Sequence, residues 1–178
     1  KETVSQSLAS ADFTPAAMAL MEPGIGFDAR SLNTKAVVQD DGSYVISGAK
    51  SMVAFGPDAR LVLVFADTAG AGTQGFLVAG DTAGVHFEKE DYMGLRPLPL
   101  FSMTLDKVAL PASARLRDDF DIKRFVSLCK IATAALAVGT CQAVLDYVVP
   151  YVNERVAFGE PVSNRQAVAF MVADIATE

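Results

Sequence analysis

The chain changes pattern near Asp119, and that change limits its possible folds more than any other feature. From about Ala17 to Leu116, short runs rich in Val, Ile, Phe and Leu are separated by Gly, Asp and Pro turns, which is the punctuation of strands. The runs are Thr34 to Val38, Tyr44 to Ser47, Leu61 to Ala66, Gly75 to Val78, Val85 to Glu88 and Ser102 to Val108. Asp40-Asp41-Gly42-Ser43 predicts a hairpin turn, because Asp-Gly accepts positive φ at little cost. Ala69-Gly70-Ala71-Gly72-Thr73 reads as a flexible connection. Strands with no helix between them predict an antiparallel barrel or sandwich. After Asp119, apolar residues recur at helical spacing from Phe125 to Val156. This predicts one long helix, kinked at Pro150, which lacks an N–H, and ending near Phe158-Gly159. Pro161 suits the first turn of a second helix, expected to bury Val168, Phe170, Met171 and Ile175. The fold class is therefore α+β: an antiparallel β-barrel-like domain with its N-terminal lead-in over residues 1–118, then the first helices of an α-helical bundle over 119–178.

A net charge of −6 and a pI near 4.8 exclude nucleic acid as a partner, since no basic stripe is available to neutralise phosphates. A small anion such as CoA needs only a few local cations and is not excluded. Cys129 and Cys141 lie 12 residues apart on one predicted helix, so they cannot meet, and they read as buried free thiols. No apolar run is read as long enough to span a bilayer. No signal peptide is visible, and both ends read as the interior of a longer chain, so the expected location is the reducing cytoplasm.

Four segments carry more specific information. Arg155-x-x-Phe158-Gly159-x-Pro161-Val162-x-x-x-Gln166 joins a helix end, a turn and a new helix. Upstream lie Met21-Glu22-Pro23-Gly24-Ile25-Gly26-Phe27-Asp28 and Gly48-Ala49-Lys50-Ser51-Met52-Val53-Ala54-Phe55-Gly56. Met93-Gly94-Leu95-Arg96 follows, with Phe101 to Val108 and Leu110-Pro111 closing the β region. Their content, order and spacing resemble the signatures of the acyl-CoA dehydrogenases across almost the whole chain.

That resemblance implies FAD as cofactor, an acyl-CoA as substrate, and a homo- or hetero-oligomer, a dimer of dimers. In the family, a glutamate removes an α-proton from the thioester while the β-hydrogen leaves as hydride to the flavin. No residue here is assigned as catalytic: the usual base lies beyond this C-terminus, and the alternative position on the long helix is Cys129, a poor base. Lys130 stands where the family commonly has an arginine and is a candidate for substrate binding. The resemblance assigns cofactor contacts to Met21, Met52 and Ala54, and a place near flavin and substrate to Phe27. At each of these positions the family's hydroxyl or large aromatic residue has become apolar or aliphatic, and a thioether or methyl cannot replace a hydroxyl that bonds the flavin. Backbone N–H groups of Met21 and Ala54 remain available in this reading. Met52 and Phe27 are expected to fill the space of the missing contacts.

By contrast, the residues the resemblance directs at a neighbouring subunit's FAD are kept: Arg155 for the pyrophosphate, Phe158 against the cofactor and Gln166 near its adenosine end. The split motivates a second reading, a catalytically degenerate partner that completes FAD binding in a hetero-oligomer. Other residues read as structural. Glu22 belongs to its turn, His86 has no triad pattern around it, and Glu88, Glu90 and Asp91 form a solvated acidic cluster with no metal spacing. Asp118, Asp119 and Asp121 suit the lead-in and first turn of the long helix.

Overall fold

The computed structural model describes residues 14–94, 96–117 and 119–177. Contacts divide the chain into two units that meet at Lys123 and Arg124. The first is a seven-stranded sheet made from β1 (Ala16–Ala19), β2 (Lys35–Val38), β3 (Tyr44–Ala54), β4 (Leu61–Thr68), β5 (Gly72–Ala79), β6 (Val85–Glu90) and β7 (Leu100–Leu110).

β4 organises this sheet. One edge pairs along its whole length with β5, antiparallel. The other edge is shared: β1 takes Leu61 to Val64 and β2 takes Asp67 and Thr68, both parallel. β2, β3, β7 and β6 then follow as antiparallel neighbours. The sheet is thus mixed rather than wholly antiparallel. Its strand order runs from β5 to β6, and the pairing among the described residues does not close a barrel. Each predicted strand is present, most of them longer than predicted. The Asp41-Gly42 hairpin joins β2 to β3 with Gly42 at φ 81°. The Ala69 to Thr73 connection is a tight turn, because Gly72 and Thr73 already belong to β5.

The core between the pleats is built from Ile46, Val53, Val62, Val64, Phe76, Val78, Met103 and Val108, all fully buried. Tyr44 meets Phe76 edge-on with ring centroids 5.0 Å apart. Two glycines are required by close approach. A Cβ on Gly48 would lie 2.6 Å from the Thr34 backbone, and one on Gly56 would lie 2.3 Å from the Phe101 ring.

The second unit contains most of α1 (Ile122–Glu154), β8 (Val156–Ala157), β9 (Glu160–Pro161) and α2 (Gln166–Thr177). Asp121 caps α1 by accepting the Lys123 amide at 2.8 Å, and Asp119 pairs with Arg117; Asp118 lies outside the described residues. Pro150 lies within α1, which continues through it to Glu154. α1 ends at Glu154, four residues before the predicted Phe158-Gly159, because residues 156 to 161 turn back as a two-stranded hairpin. Pro161 closes β9 rather than opening α2, which starts at Gln166 after a short 3₁₀ turn.

The helical faces differ from the expectation. Only Val152 of α1 is buried, and no residue of α2 is, so Phe170, Met171 and Ile175 are exposed. Cys129 is half-buried and Cys141 exposed rather than buried. Apolar character says that a face wants cover, not that this unit supplies it. α1 also corrects the reading that no run suffices for a bilayer: it has 33 residues and is long and apolar enough to cross one, by length and composition only.

Candidate functional site

One candidate surface lies on the β unit. β1 ends at Ala19, and the chain then crosses to β3, where the Ser51 amide donates to the Met21 carbonyl at 3.0 Å. This bond brings together two segments about thirty residues apart in sequence. In β3, Lys50 pairs with Met103 and Val53 with Phe101, so Ser51 and Met52 together face Ser102 alone. That extra residue is a β-bulge, and it puts Met52 at φ 56°, in the left-handed region. Met52 therefore does not fill a buried hole. It is 42% exposed, Met21 is 40% exposed and Phe27 is 36% exposed. Ala54 is half-buried at the end of β3, opposite Leu100.

A buried ion pair underlies this edge. Lys50 is 0% exposed and Glu22 7% exposed, with Nζ and Oε1 2.9 Å apart. Glu22 also accepts the Asn33 amide at 2.7 Å and the Thr34 amide at 2.8 Å. Burial alone would raise the Glu22 pKa. The hydrogen bonds from Thr34, Lys50 and Asn33 outweigh it and hold the carboxyl at about 2. Burial pushes the Lys50 ammonium down, opposed by the Glu22 hydrogen bond and charge. The reading of Glu22 as a structural residue of its turn fits this geometry.

Glu90 is a residue that sequence reasoning missed. It is half-buried rather than part of a solvated cluster; its carboxylate accepts the Tyr92 hydroxyl at 2.7 Å and the Met52 amide at 3.4 Å. The two ends of the second contact are 38 residues apart, and only the bulge brings them together. His86 sits exposed on β6.

The flavin implied by the resemblance is a flat ring with an apolar face and a polar edge. Thioether and phenyl surface at Met21, Phe27 and Met52 suits the face. No side chain at residues 21, 27, 52 or 54 can donate a hydrogen bond at the edge, the thioethers of Met21 and Met52 are at most weak acceptors, and the Met52 amide is already directed at Glu90. The side chains at these four positions do not fit the ring's polar edge.

A separate candidate surface lies on the helical unit. Phe158 and Gly159 form the two-residue loop between β8 and β9, with φ 60° and 86°. Positive φ at both positions defines a type I′ turn, where Asn-Gly is the favoured pair. A phenylalanine there is strained, and it is also 94% exposed. The Arg165 guanidinium stacks over its ring at 4.9 Å and reaches the Ala157 carbonyl at 3.5 Å. The Arg155 carbonyl accepts the Val162 amide at 2.9 Å, closing the hairpin, and its guanidinium lies 5.8 Å from the Tyr151 ring. Gln166 is exposed at the first residue of α2. The hairpin thus gathers Arg155, Phe158 and Gln166 and adds Arg165, whose only sequence signal is a cation beside Gln166. Lys130 is exposed on α1, 25 residues before Arg155 and so roughly 37 Å along the axis. It does not join this group. These exposed cations and this exposed ring are suited to an anionic, partly aromatic ligand.

Comparison with known proteins agrees with both units. The model of the acyl-CoA dehydrogenase middle domain matches residues 17–108, and that of the C-terminal domain matches residues 122–178. A probable acyl-CoA dehydrogenase of Bacillus subtilis, YngJ, is 38% identical over 89% of this chain and 44% of its own length. The benzylmalonyl-CoA dehydrogenase of Aromatoleum aromaticum is 34% identical over 90% of this chain and 44% of its own. The structure of butyryl-CoA dehydrogenase from Megasphaera elsdenii is similar with a TM-score of 0.77 and 32% identity, covering 90% of this chain and 44% of that one. A glutaryl-CoA dehydrogenase from Mycobacterium smegmatis, solved in complex with FADH2, gives 0.77 at 28% identity, covering 89% and 42%. The chain therefore spans less than half the length of these relatives. The C-terminal domain match takes in all of α1 and accounts for that helix without a membrane. With both domain models placed in order along one chain, this protein belongs to the acyl-CoA dehydrogenase family.

Proposed function

We propose that this chain is part of an acyl-CoA dehydrogenase-type flavoprotein subunit, a class that oxidises an acyl-CoA thioester at Cα–Cβ and passes hydride to FAD. Its own contribution to FAD is made in trans, by the helical unit, within a homo- or hetero-oligomer, a dimer of dimers, in the cytoplasm. The observation that carries this reading is the Phe158 turn. A phenylalanine held at positive φ and 94% exposed, with the Arg165 guanidinium over its ring, gains no burial within its own unit. Residues held in unfavourable φ persist where function requires them. Arg155 and Arg165 would meet the phosphates, Phe158 would cover the cofactor, and Gln166 would supply polar contacts toward the adenosine end. When bound, the flavin supplies the hydride acceptor. The β unit supplies an apolar surface and excludes water. Lys130 remains a candidate for the acyl-CoA.

A second reading rests on a specific observation. The Met21, Phe27, Met52 and Ala54 side chains do not serve the flavin's polar edge, and the Met52 amide is engaged by Glu90. This favours a catalytically degenerate partner that completes another subunit's FAD site without retaining its own. The test is the absorbance spectrum and native mass of the full-length protein, alone and co-expressed with a paralogue that keeps the hydroxyls. Flavin bound by the protein alone supports a self-sufficient subunit. Flavin only in the mixed complex supports the partner reading. Flavin in neither sinks both.

A further inference from the structure

The buried Lys50–Glu22 pair lies beside the two ring-facing residues in sequence: Glu22 follows Met21, and Lys50 precedes Met52 by two. Its contacts reach three backbone groups in two stretches of chain. Lys50 Nζ donates to the Leu20 carbonyl at 3.4 Å as well as to Glu22. Glu22 in turn holds the Asn33 and Thr34 amides. These bonds lie where regular pairing has stopped, because β1 has left β4 after Ala19 and β2 does not begin until Lys35. The chain between Leu20 and Thr34 is tied back at its start and its end to one ammonium–carboxylate pair. Beside that pair, the Ser51 amide bonds the Met21 carbonyl.

Stability alone does not account for an ion pair at this place. Well-packed apolar residues of similar volume commonly replace a buried pair with little or no loss. An apolar pair, however, has no directional bonds with which to fix the Leu20 carbonyl or the Asn33 and Thr34 amides. We propose that Lys50 and Glu22 are positioning residues, a clamp that sets the spacing between Met21 and the Met52 bulge and so shapes the ligand-facing edge. The clamp acts through backbone geometry and touches no ligand. It rests on the reading that this edge faces the flavin ring, but the geometric half of the claim stands without any ligand.

The test compares wild type with E22L/K50M in the full-length protein. Amide hydrogen exchange is the first readout. The Ser51 amide is expected to exchange about 100-fold faster in the double variant, while amides in the β4–β5 pairing keep their wild-type protection. The second readout is titration with FAD in whichever assembly binds it, where the dissociation constant rises at least about 10-fold and the flavin absorbance band shifts. If β4 and β5 stay protected and Ser51 exchanges as in wild type, the clamp is refuted. An unchanged FAD titration beside a loosened Ser51 refutes its role at the ligand edge. If wild type binds no FAD in any assembly, the proposed function fails, and the Ser51 exchange still decides the clamp. Should E22L/K50M not fold, E22Q takes its place, with about a 10-fold rise in Ser51 exchange expected and wild-type exchange overturning the proposal.

Discussion

Glu22 gives the β unit an acid-sensitive term whose size follows from the structure. Its pKa falls from the ordinary 4.5 to about 2 in the folded chain. At about 1.36 kcal/mol per pH unit, the ceiling on its contribution is ~3.4 kcal/mol, and residual solvent screening brings it to about 2–3 kcal/mol. The sign follows from the direction. A carboxyl whose folded pKa is depressed stabilises above its unfolded pKa and loses that stabilisation as pH falls through the folded one. The contribution is therefore complete above about pH 5, about half gone near pH 3.2 and nearly absent by pH 2. Lys50 works the other way: burial lowers its pKa, so keeping it charged at neutral pH costs stability and reduces what the pair contributes together. In Glu22→Gln the ammonium is left buried without its counter-charge, a loss that typically runs about 3–5 kcal/mol. Both routes meet near 3 kcal/mol at pH 7. The assay is urea denaturation of wild type and variant from pH 7 to pH 2.5, followed through the near-ultraviolet signal of Tyr44, buried against Phe76 within the same unit. The gap should shrink steadily below pH 4.5, because wild type approaches the variant as Glu22 is protonated. A gap below ~1 kcal/mol at pH 7, or one that stays constant to pH 2.5, would refute the assignment of this energy to the Glu22 carboxylate.

Lys50→Met should move the acid loss upward in pH, since Glu22 then keeps its backbone donors but not its cation; acid titrations of the two proteins compare the midpoints directly. Gly48→Ala should cost ~3 kcal/mol or more, because a Cβ there sits 2.6 Å from the Thr34 backbone at φ 155°, while Gly70→Ala at φ 77° in open space should cost only about 1 kcal/mol. Denaturant melts of the pair separate clash from strain. Phe158→Asn trades a poor αL residue for a good one and gives up the Arg165 stack, so its stability should stay within about 1 kcal/mol of wild type while flavin retention falls. A large loss of stability instead would mean that the ring packs within its own unit. Met21→Thr with Ala54→Thr restores hydroxyls to the β edge, and the doubly substituted protein should hold more flavin by absorbance than wild type expressed alone.

The parts of this molecule that were legible in its sequence are those decided over a few residues. Asp41-Gly42 announces a hairpin because the turn chemistry is local, and the apolar runs become strands because a two-residue period has one way to meet a core. Nothing local distinguishes the parallel partner of β1 from an antiparallel one, so the sheet's mixed character was hidden. Burial on the helices was hidden for a related reason: a stripe such as Phe170 and Met171 records a demand for a partner and not where that partner comes from. The end of α1 is a different kind of miss. Val156 and Phe158 fit a helical period, so the pattern extended the helix over residues that form a tight hairpin. Asn-Gly there would have shown the turn at once, but the chain carries Phe-Gly, a poor choice for the local backbone. Local rules fail at Met52 for the same reason, where a methionine occupies positive φ in a bulge. Both are residues that the family resemblance had already directed at the cofactor, whereas Phe55 and Lys107, also at positive φ, are not. Where a sequence is consistent across its levels, propensity predicts structure, and a side chain kept against the backbone's preference is evidence for a demand from outside the backbone. On that argument Phe158 is the firmer pointer to function, because it is both strained and displayed. Met52 is strained but has its amide tied to Glu90, which is what a ring site that has begun to close on itself would show.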